Sequence, residues 1–359
     1  MMYRYKRIAV KIGSNVLSKA DGTLDLERMD SLVTQVAKLH KSGVEIILIS
    51  SGAVASGRSE LKLKKKLDPI SARQLFSAVG QAKLINHYYD LFAKHKIACG
   101  QVLTTKESFG SRTHYLTQKN CISVMLENNV VPIVNENDTI SVTELMFTDN
   151  DELSGLIATM MNMEALIILS NIDGIFDGNP NDANSKVISI VENGKDLSQY
   201  IQTGKSSFGR GGMLTKTNIA QKVADEGITV IIANGKRENI LPQLLENSDT
   251  VCTRFTPNPK PVSGVKKWIA HSESFAKGEI HINKKAADAL IGNKATSLLF
   301  VGITEIKGDF EKNDIVKIIT DDSQILGVGK AQYDSTKARL LIGKKGQRPL
   351  IHYDYLYLD

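Results

Sequence analysis

Residues 44–57 read VEIILISSGAVASG. The apolar positions at its start run continuously instead of alternating. That is the mark of a strand buried on both faces of a parallel sheet. The run ends in two serines, a glycine and an alanine, and a helix-like stretch follows. Strand, small-residue turn and helix form the repeating unit of an α/β protein. Ser51, Gly52 and Ala53 are small enough for backbone to approach a ligand, and a helix beginning here aims N–H groups at an anion. The same residues also suit an ordinary strand-to-helix turn, so this stretch alone leaves both readings open.

The rhythm continues on either side. RIAVKI, IACGQVL, VVPIV, ALIILS and ITVIIA read as further strands, and residues 25–41, 71–95 and 112–128 read as helices. The expected fold is a three-layer α/β sandwich with a mainly parallel sheet, which places ligands beyond the carboxyl ends of its strands. TPNPKPVSG, residues 256–264, holds three of the chain's eight prolines and reads as a linker. Beyond it, SLLFVGITEI, DIVKIIT, ILGVGKAQY and ARLLIG read as short strands separated by GDF, DDSQ and DSTK turns. The expected domains are therefore 1–255, a linker at 256–264, and a small β-rich, barrel-like unit at 265–359 with one short helix near 284–291.

Composition narrows the function. The chain has 359 residues, 42% of them hydrophobic, which is enough for a large core and favours two domains. The longest apolar runs, EIILI and ALIIL, are strand-sized, so no membrane partner is expected. The opening MMYRYKRIAVKIG lacks the apolar stretch of a signal peptide. Cys99, Cys121 and Cys252 are scattered and make no CxxC spacing, which fits a soluble protein of the reducing cytoplasm. The net charge of +6 suits an anionic partner, and nucleotides qualify as well as nucleic acids. The excess divides evenly, +3 before residue 265 and +3 after it, so the tail is not a basic arm.

The residues after each strand carry the chemistry. KIGSN, residues 11–15, puts Lys11 beside a glycine turn, where it serves a phosphate or is simply solvated. NEND (135–138) and FTDNDELS (147–154) cluster amides and carboxylates that can bind an amino group and a carboxylate together, or position lysines. Such stretches also form turns and helix caps. NIDGIFDGNP (171–180) predicts turns on which a nucleotide base could rest. In FGRGGMLTKTNIAQKVADEG (208–227) a glycine pair opens a helix with Lys216 in its first turns. Thr215 precedes that lysine, so this is not a Walker A loop. Two lysines, small-residue turns and acidic or amide loops suit phosphoryl transfer, where positioning and charge neutralisation dominate. No histidine or cysteine lies in these motifs and no HExxH pair occurs, so neither protein nucleophile nor metal-ligating side chain is expected.

VKIGSNVL, ISSGAVASGR, SAVGQAKLI, PIVNENDTI, TDNDELSGLIA and GRGGMLTKTNIA, in this order, closely resemble the glutamate 5-kinase family of the amino-acid kinase superfamily. KKWIAH, SLLFVGITEIKGDF and GVGKAQYDS resemble its C-terminal PUA domain. The resemblance covers nearly the whole chain. It implies ATP-dependent phosphorylation of the side-chain carboxylate of L-glutamate to L-glutamyl 5-phosphate, the first step of proline biosynthesis, with Mg2+. Carried over by position, Lys11 and Lys216 would contact the phosphates and Asp151 would orient both lysines. Ser51, Asp138 and Asn150 would hold glutamate. Ser170, Asn171, Arg210, Gly211, Gly212, Met213, Leu214 and Thr215 would frame the nucleotide. Family members often have Thr-Asp where this chain has Ser170 and Asn171, so a carboxylate has become an amide there. The resemblance further implies feedback inhibition by proline, sensed near Thr139 to Thr148, and a homo-oligomer. Three rivals stand beside it. One is a superfamily kinase acting on N-acetylglutamate, aspartate, carbamate or UMP. Another is a catalytically dead regulator. The third is an RNA-binding protein using the PUA domain, where Phe310, Lys330 and Tyr333 either touch a base or serve as packing and surface.

Overall fold

The continuous apolar runs become the centre of an eight-stranded sheet in a computed structural model, which describes residues 3–61, 65–110, 112–141, 150–180, 182, 184–195, 197, 213–246, 249–259, 276–292 and 296–358. The chain divides into two units, 1–105 with 119–261, and 106–118 with 262–359. No helix among the described residues is long and apolar enough to cross a membrane.

The strands of the first unit are β1 (Arg7–Ile12), β2 (Glu45–Ser50), β3 (Ala98–Thr104), β4 (Val130–Glu136), β5 (Ala165–Ser170), β6 (Ile190–Val191), β7 (Thr229–Asn234) and β8 (Thr253–Phe255). They lie in the order β3-β4-β2-β1-β5-β7-β8-β6. Pairing is parallel except between β7 and β8. Every residue of β5 is buried, as a strand covered on both faces requires. Pro132 has no N–H to give, and the β4 ladder with β2 begins just beyond it, at Ile133.

Between the strands run α1 (Ser14–Leu17), α2 (Leu26–Lys41), α3 (Ala53–Glu60), α4 (Pro69–Lys94), α5 (Glu107–Gly110), α6 (Arg112–Glu127), α7 (Asn150–Met160), α8 (Met213–Asp225) and α9 (Ile240–Leu245). Ile8, Val10 and Ile12 of β1 share one core with residues of α2, α4 and α9. Side chains alternate along a strand, so Lys11 points to the opposite face, which α7 covers. Asp68 fixes the start of α4, its carboxylate accepting from the Ile70 and Ser71 amides with Pro69 in the first turn.

The glycines of SSGAVASG and SAVGQAKLI have a shared purpose. A Cβ on Gly57 would lie 2.0 Å from the Phe76 carbonyl oxygen, and one on Gly80 would lie 1.9 Å from that of Ala53. The α3 and α4 backbones meet where no side chain fits. Gly80→Ala should therefore lower stability by about 1–3 kcal/mol through forced separation of the two helices. Urea unfolding checks this, and an unchanged midpoint would show that the crossing yields easily.

The second unit carries β9 (Gly278–Ile282), β10 (Ile303–Gly308), β11 (Ile315–Thr320), β12 (Ile325–Lys330) and β13 (Leu356–Leu358), in the order β10-β9-β11-β12-β13. Its core gathers Ile280, Phe300, Val316, Ile318, Leu350 and Ile351. Helix α10 (Lys284–Ile291) lies where the sequence predicts one. The ARLLIG run differs. It belongs largely to a second helix, α11 (Ser335–Leu341), because Asp334 acts as a cap and accepts from the Lys337 amide at 2.8 Å. The DSTK turn is thus a helix start. The SLLF run is also not a full strand, since Phe300–Gly302 makes a single 3-10 turn before β10.

Candidate active site

The carboxyl ends of β1, β2, β4 and β5 bring three groups of side chains together. The first centres on Asp151. It lies in the first turn of α7, where the helix dipole favours a negative charge, and it is fully buried. Lys11 Nζ lies 2.5 Å from its Oδ1, and Lys216 Nζ, from the first turn of α8, lies 2.8 Å from its Oδ2. Burial pushes the Asp151 carboxyl up, but the charges and hydrogen bonds of Lys11 and Lys216 outweigh that and hold it well below the usual carboxylate range. These three side chains together carry one positive charge. Little water reaches them, so that charge acts on a polyanion with weak screening.

The second group surrounds Asn150. Its Nδ2 lies 3.0 Å from Ser51 Oγ, 3.1 Å from Asn135 Oδ1 and 3.3 Å from the Ser50 carbonyl oxygen. Asn135 in turn donates to Gln81 Oε1 at 2.8 Å. Beneath them Ser50 Oγ and Tyr88 Oη are 2.7 Å apart, and burial keeps the phenol neutral by raising its pKa. Neighbouring residues Asn150 and Asp151 thus serve different groups: the amide joins Ser51 and the carboxylate joins the lysines.

The third group ties Asp138 to a residue that the motifs do not single out. Arg73 Nε donates to Asp138 Oδ1 at 2.8 Å, and another guanidinium nitrogen reaches Glu136 Oε2 at 2.9 Å. Arg73, Ser77 and Gln81 are spaced four apart on α4. Gln81 falls inside SAVGQAKLI, whereas Arg73 lies outside every motif and is linked to Gln81 only by sharing a face of α4.

On the far side of β1, Ser170 closes β5 and lies 3.4 Å from Asn171 Oδ1. Asn171 is exposed. Arg237 makes a two-point pair with Asp173 at 2.7 and 2.8 Å, fastening the loop after β5 to the loop after β7. That hydrogen bonding holds the Asp173 carboxyl below its ordinary range. Met213, Leu214 and Thr215 open α8, ahead of Lys216. Arg210, Gly211 and Gly212 lie outside the described residues.

In the second unit Phe310 is part of the core. Tyr333 stands edge-on to Phe300 with centroids 5.3 Å apart, and Lys330 sits 3.8 Å above the Tyr355 ring. All three therefore already have packing partners.

Residues 6–234 match the model of the amino acid kinase family, a span that runs from β1 to the end of β7 and holds all three groups around Asp151, Asn150 and Asp138. The chain belongs to the amino acid kinase family. Residues 278–352 match the PUA domain. A glutamate 5-kinase of Bacteroides thetaiotaomicron is 69% identical over 360 residues, covering 100% of both chains. Another, of Chlorobaculum tepidum, is 50% identical with 99% and 98% covered. A third, of Maridesulfovibrio salexigens, is 38% identical with 99% and 96% covered. Kinase membership makes ATP the co-substrate. The Lys11–Asp151–Lys216 bridge lies wholly inside the kinase domain.

Proposed function

We propose that the protein transfers the terminal phosphoryl group of ATP to the side-chain carboxylate of L-glutamate, forming L-glutamyl 5-phosphate and ADP at the start of proline biosynthesis. The observation that carries this reading is a buried carboxylate holding two lysines at the carboxyl ends of a parallel sheet, in a chain 69% identical end to end to a glutamate 5-kinase. The acceptor carboxylate has a reference pKa of ~4.3, so it is ionised at neutral pH and needs no general base. The obstacle is repulsion between that anion and the triphosphate. Lys11 and Lys216 oppose it, pre-set by Asp151 so that little reorganisation accompanies transfer. Ser51 and Asn150 hold one end of glutamate, and Asp138 receives its α-ammonium. Ser170, Asn171 and the start of α8, with Arg210, Gly211 and Gly212, frame the nucleotide.

Magnesium fits here as a nucleotide-borne ion. Among the described residues no three His, Cys, Asp or Glu side chains are grouped to hold a cation, and Asp151 is occupied by lysines. When bound with ATP, the ion would neutralise part of the phosphate charge that Lys11 and Lys216 also oppose.

Hydroxylamine trapping tests the reaction. Glutamyl hydroxamate should form only with both ATP and L-glutamate present. Equal or faster ADP release with N-acetylglutamate, aspartate, carbamate or UMP would overturn the assignment. In the same assay Asp138→Asn should raise the KM for glutamate by about tenfold or more and hardly move that for ATP, because one charge-assisted contact to substrate is lost. Equal weakening of both substrates would remove Asp138 from ammonium recognition.

Feedback by proline belongs to this proposal, with its sensor in Thr139 to Thr148, of which residues 142–148 lie outside the described residues. So do a homo-oligomeric assembly, a cytoplasmic location and the division into 1–255, 256–264 and 265–359. Millimolar proline should compete with glutamate, and an unchanged rate would end the feedback idea.

A further inference from the structure

We infer that Arg73 is the positioning residue of the glutamate site, fixing Asp138 so that one carboxylate oxygen is left for the substrate's α-ammonium group. The inference rests on the reading that Asp138 receives that ammonium.

Helix α4 is the support. Asp68 caps its first turn, and Gly80 locks its middle against α3, so its side chains project from a fixed support. Three of them fasten one short segment. Gln81 takes the Asn135 amide at 2.8 Å, Arg73 takes Glu136 and Asp138, and Gln74 Nε2 donates to the Thr139 carbonyl at 2.8 Å. The β3 ladder holds the backbone of residues 135–137, and one helix holds the side chains of 135, 136 and 138 and the carbonyl of 139.

Arg73 contacts Asp138 through two nitrogens, and both end on Oδ1. No described residue donates to Asp138 Oδ2. Glu136 Oε1 is meanwhile taken by Ser141 Oγ at 2.7 Å, so Glu136 is satisfied from both sides. The two carboxylates are buried side by side, an arrangement that needs a cation between them if both are to remain charged. One guanidinium against two carboxylates leaves one negative charge among these three groups, which a single ammonium neutralises. A planar fork serves two carboxylates in fixed directions. A lysine supplies the charge without the directions.

Steady-state kinetics on the full-length protein test this, with Arg73→Gln, Arg73→Lys and Asp138→Asn side by side. Arg73→Gln should raise the KM for glutamate roughly tenfold to a hundredfold, as expected when a binding group is misplaced by about an ångström. Its kcat at saturating glutamate and its KM for ATP should move far less. Arg73→Lys should recover part of the glutamate affinity, and Arg73→Gln combined with Asp138→Asn should cost less than the two single effects multiplied. If Arg73→Gln does not fold, Arg73→Lys still carries the test through its raised KM for glutamate alone. A raised KM in Asp138→Asn with normal values in both Arg73 variants would overturn the role of Arg73 and leave the ammonium site standing. An unchanged KM in Asp138→Asn would overturn the ammonium site and this inference together. Parallel losses in both KM values and kcat would reduce Arg73 to general support and also overturn it.

Discussion

Replacing Lys216 by alanine should lower kcat by about a hundredfold or more, and Lys11→Ala should do the same, while the protein stays folded. The transferred phosphoryl group carries spread negative charge in its transition state, and fixed cations aimed at it stabilise that state more than the ground state. Removing one such donor from a preorganised site costs about 3–4 kcal/mol of transition-state stabilisation. The fold should survive because Asp151 retains one lysine in either variant, so no buried carboxylate is left alone. A one-to-one pair also cancels the net positive charge that attracts the triphosphate, so the KM for ATP should rise too. Circular dichroism and single-turnover kinetics check both halves. A folded Lys216→Ala protein with near-normal turnover would remove that lysine from the mechanism.

The two lysines come from distant parts of the chain. Lys11 lies one residue before the end of the first strand, and Lys216 lies in the first turn of a helix more than two hundred residues later. Each was legible as a strand-end or helix-start cation, since small residues and a nearby glycine mark such places in sequence. Their sharing of one carboxylate was not legible from spacing, because it depends on β5 crossing to the other side of β1 from β2. The apolar strands were the easiest elements to read, being buried on both faces. Strands β6 and β8 escaped because they have only two and three residues. Helix α11 escaped because Ala338, Arg339, Leu340 and Leu341 fit either period, and only the Asp334 cap decides between them. Arg73 escaped for a different reason. Its meaning lies in two carboxylates more than sixty residues away, and nothing local in SARQLF points to them. The placement of residues 106–118 with the second unit is likewise a matter of packing that no linker signal announces.

Asp151→Asn should be the most damaging single change to both activity and stability. The amide keeps the shape but leaves Lys11 and Lys216 facing one another in a dry site without their shared anion. Breaking a buried ion pair by removing one partner typically destabilises by about 3–5 kcal/mol, because the remaining charge is unpaired. Turnover should fall as well, since the lysines lose the group that orients them. The pH dependence has a definite sign. The carboxyl of Asp151 is held below its unfolded value, so its contribution is fully present above that value, ~3.9, and is lost as pH falls through the lower folded one. The stability gap between the parent protein and Asp151→Asn should therefore be flat near neutral pH and should close only below about pH 4. Urea unfolding across that range measures it. A gap that opened or closed between pH 6 and 8 would mean another titrating group is involved, and a gap near zero throughout would mean that the two lysines are held apart by something other than Asp151.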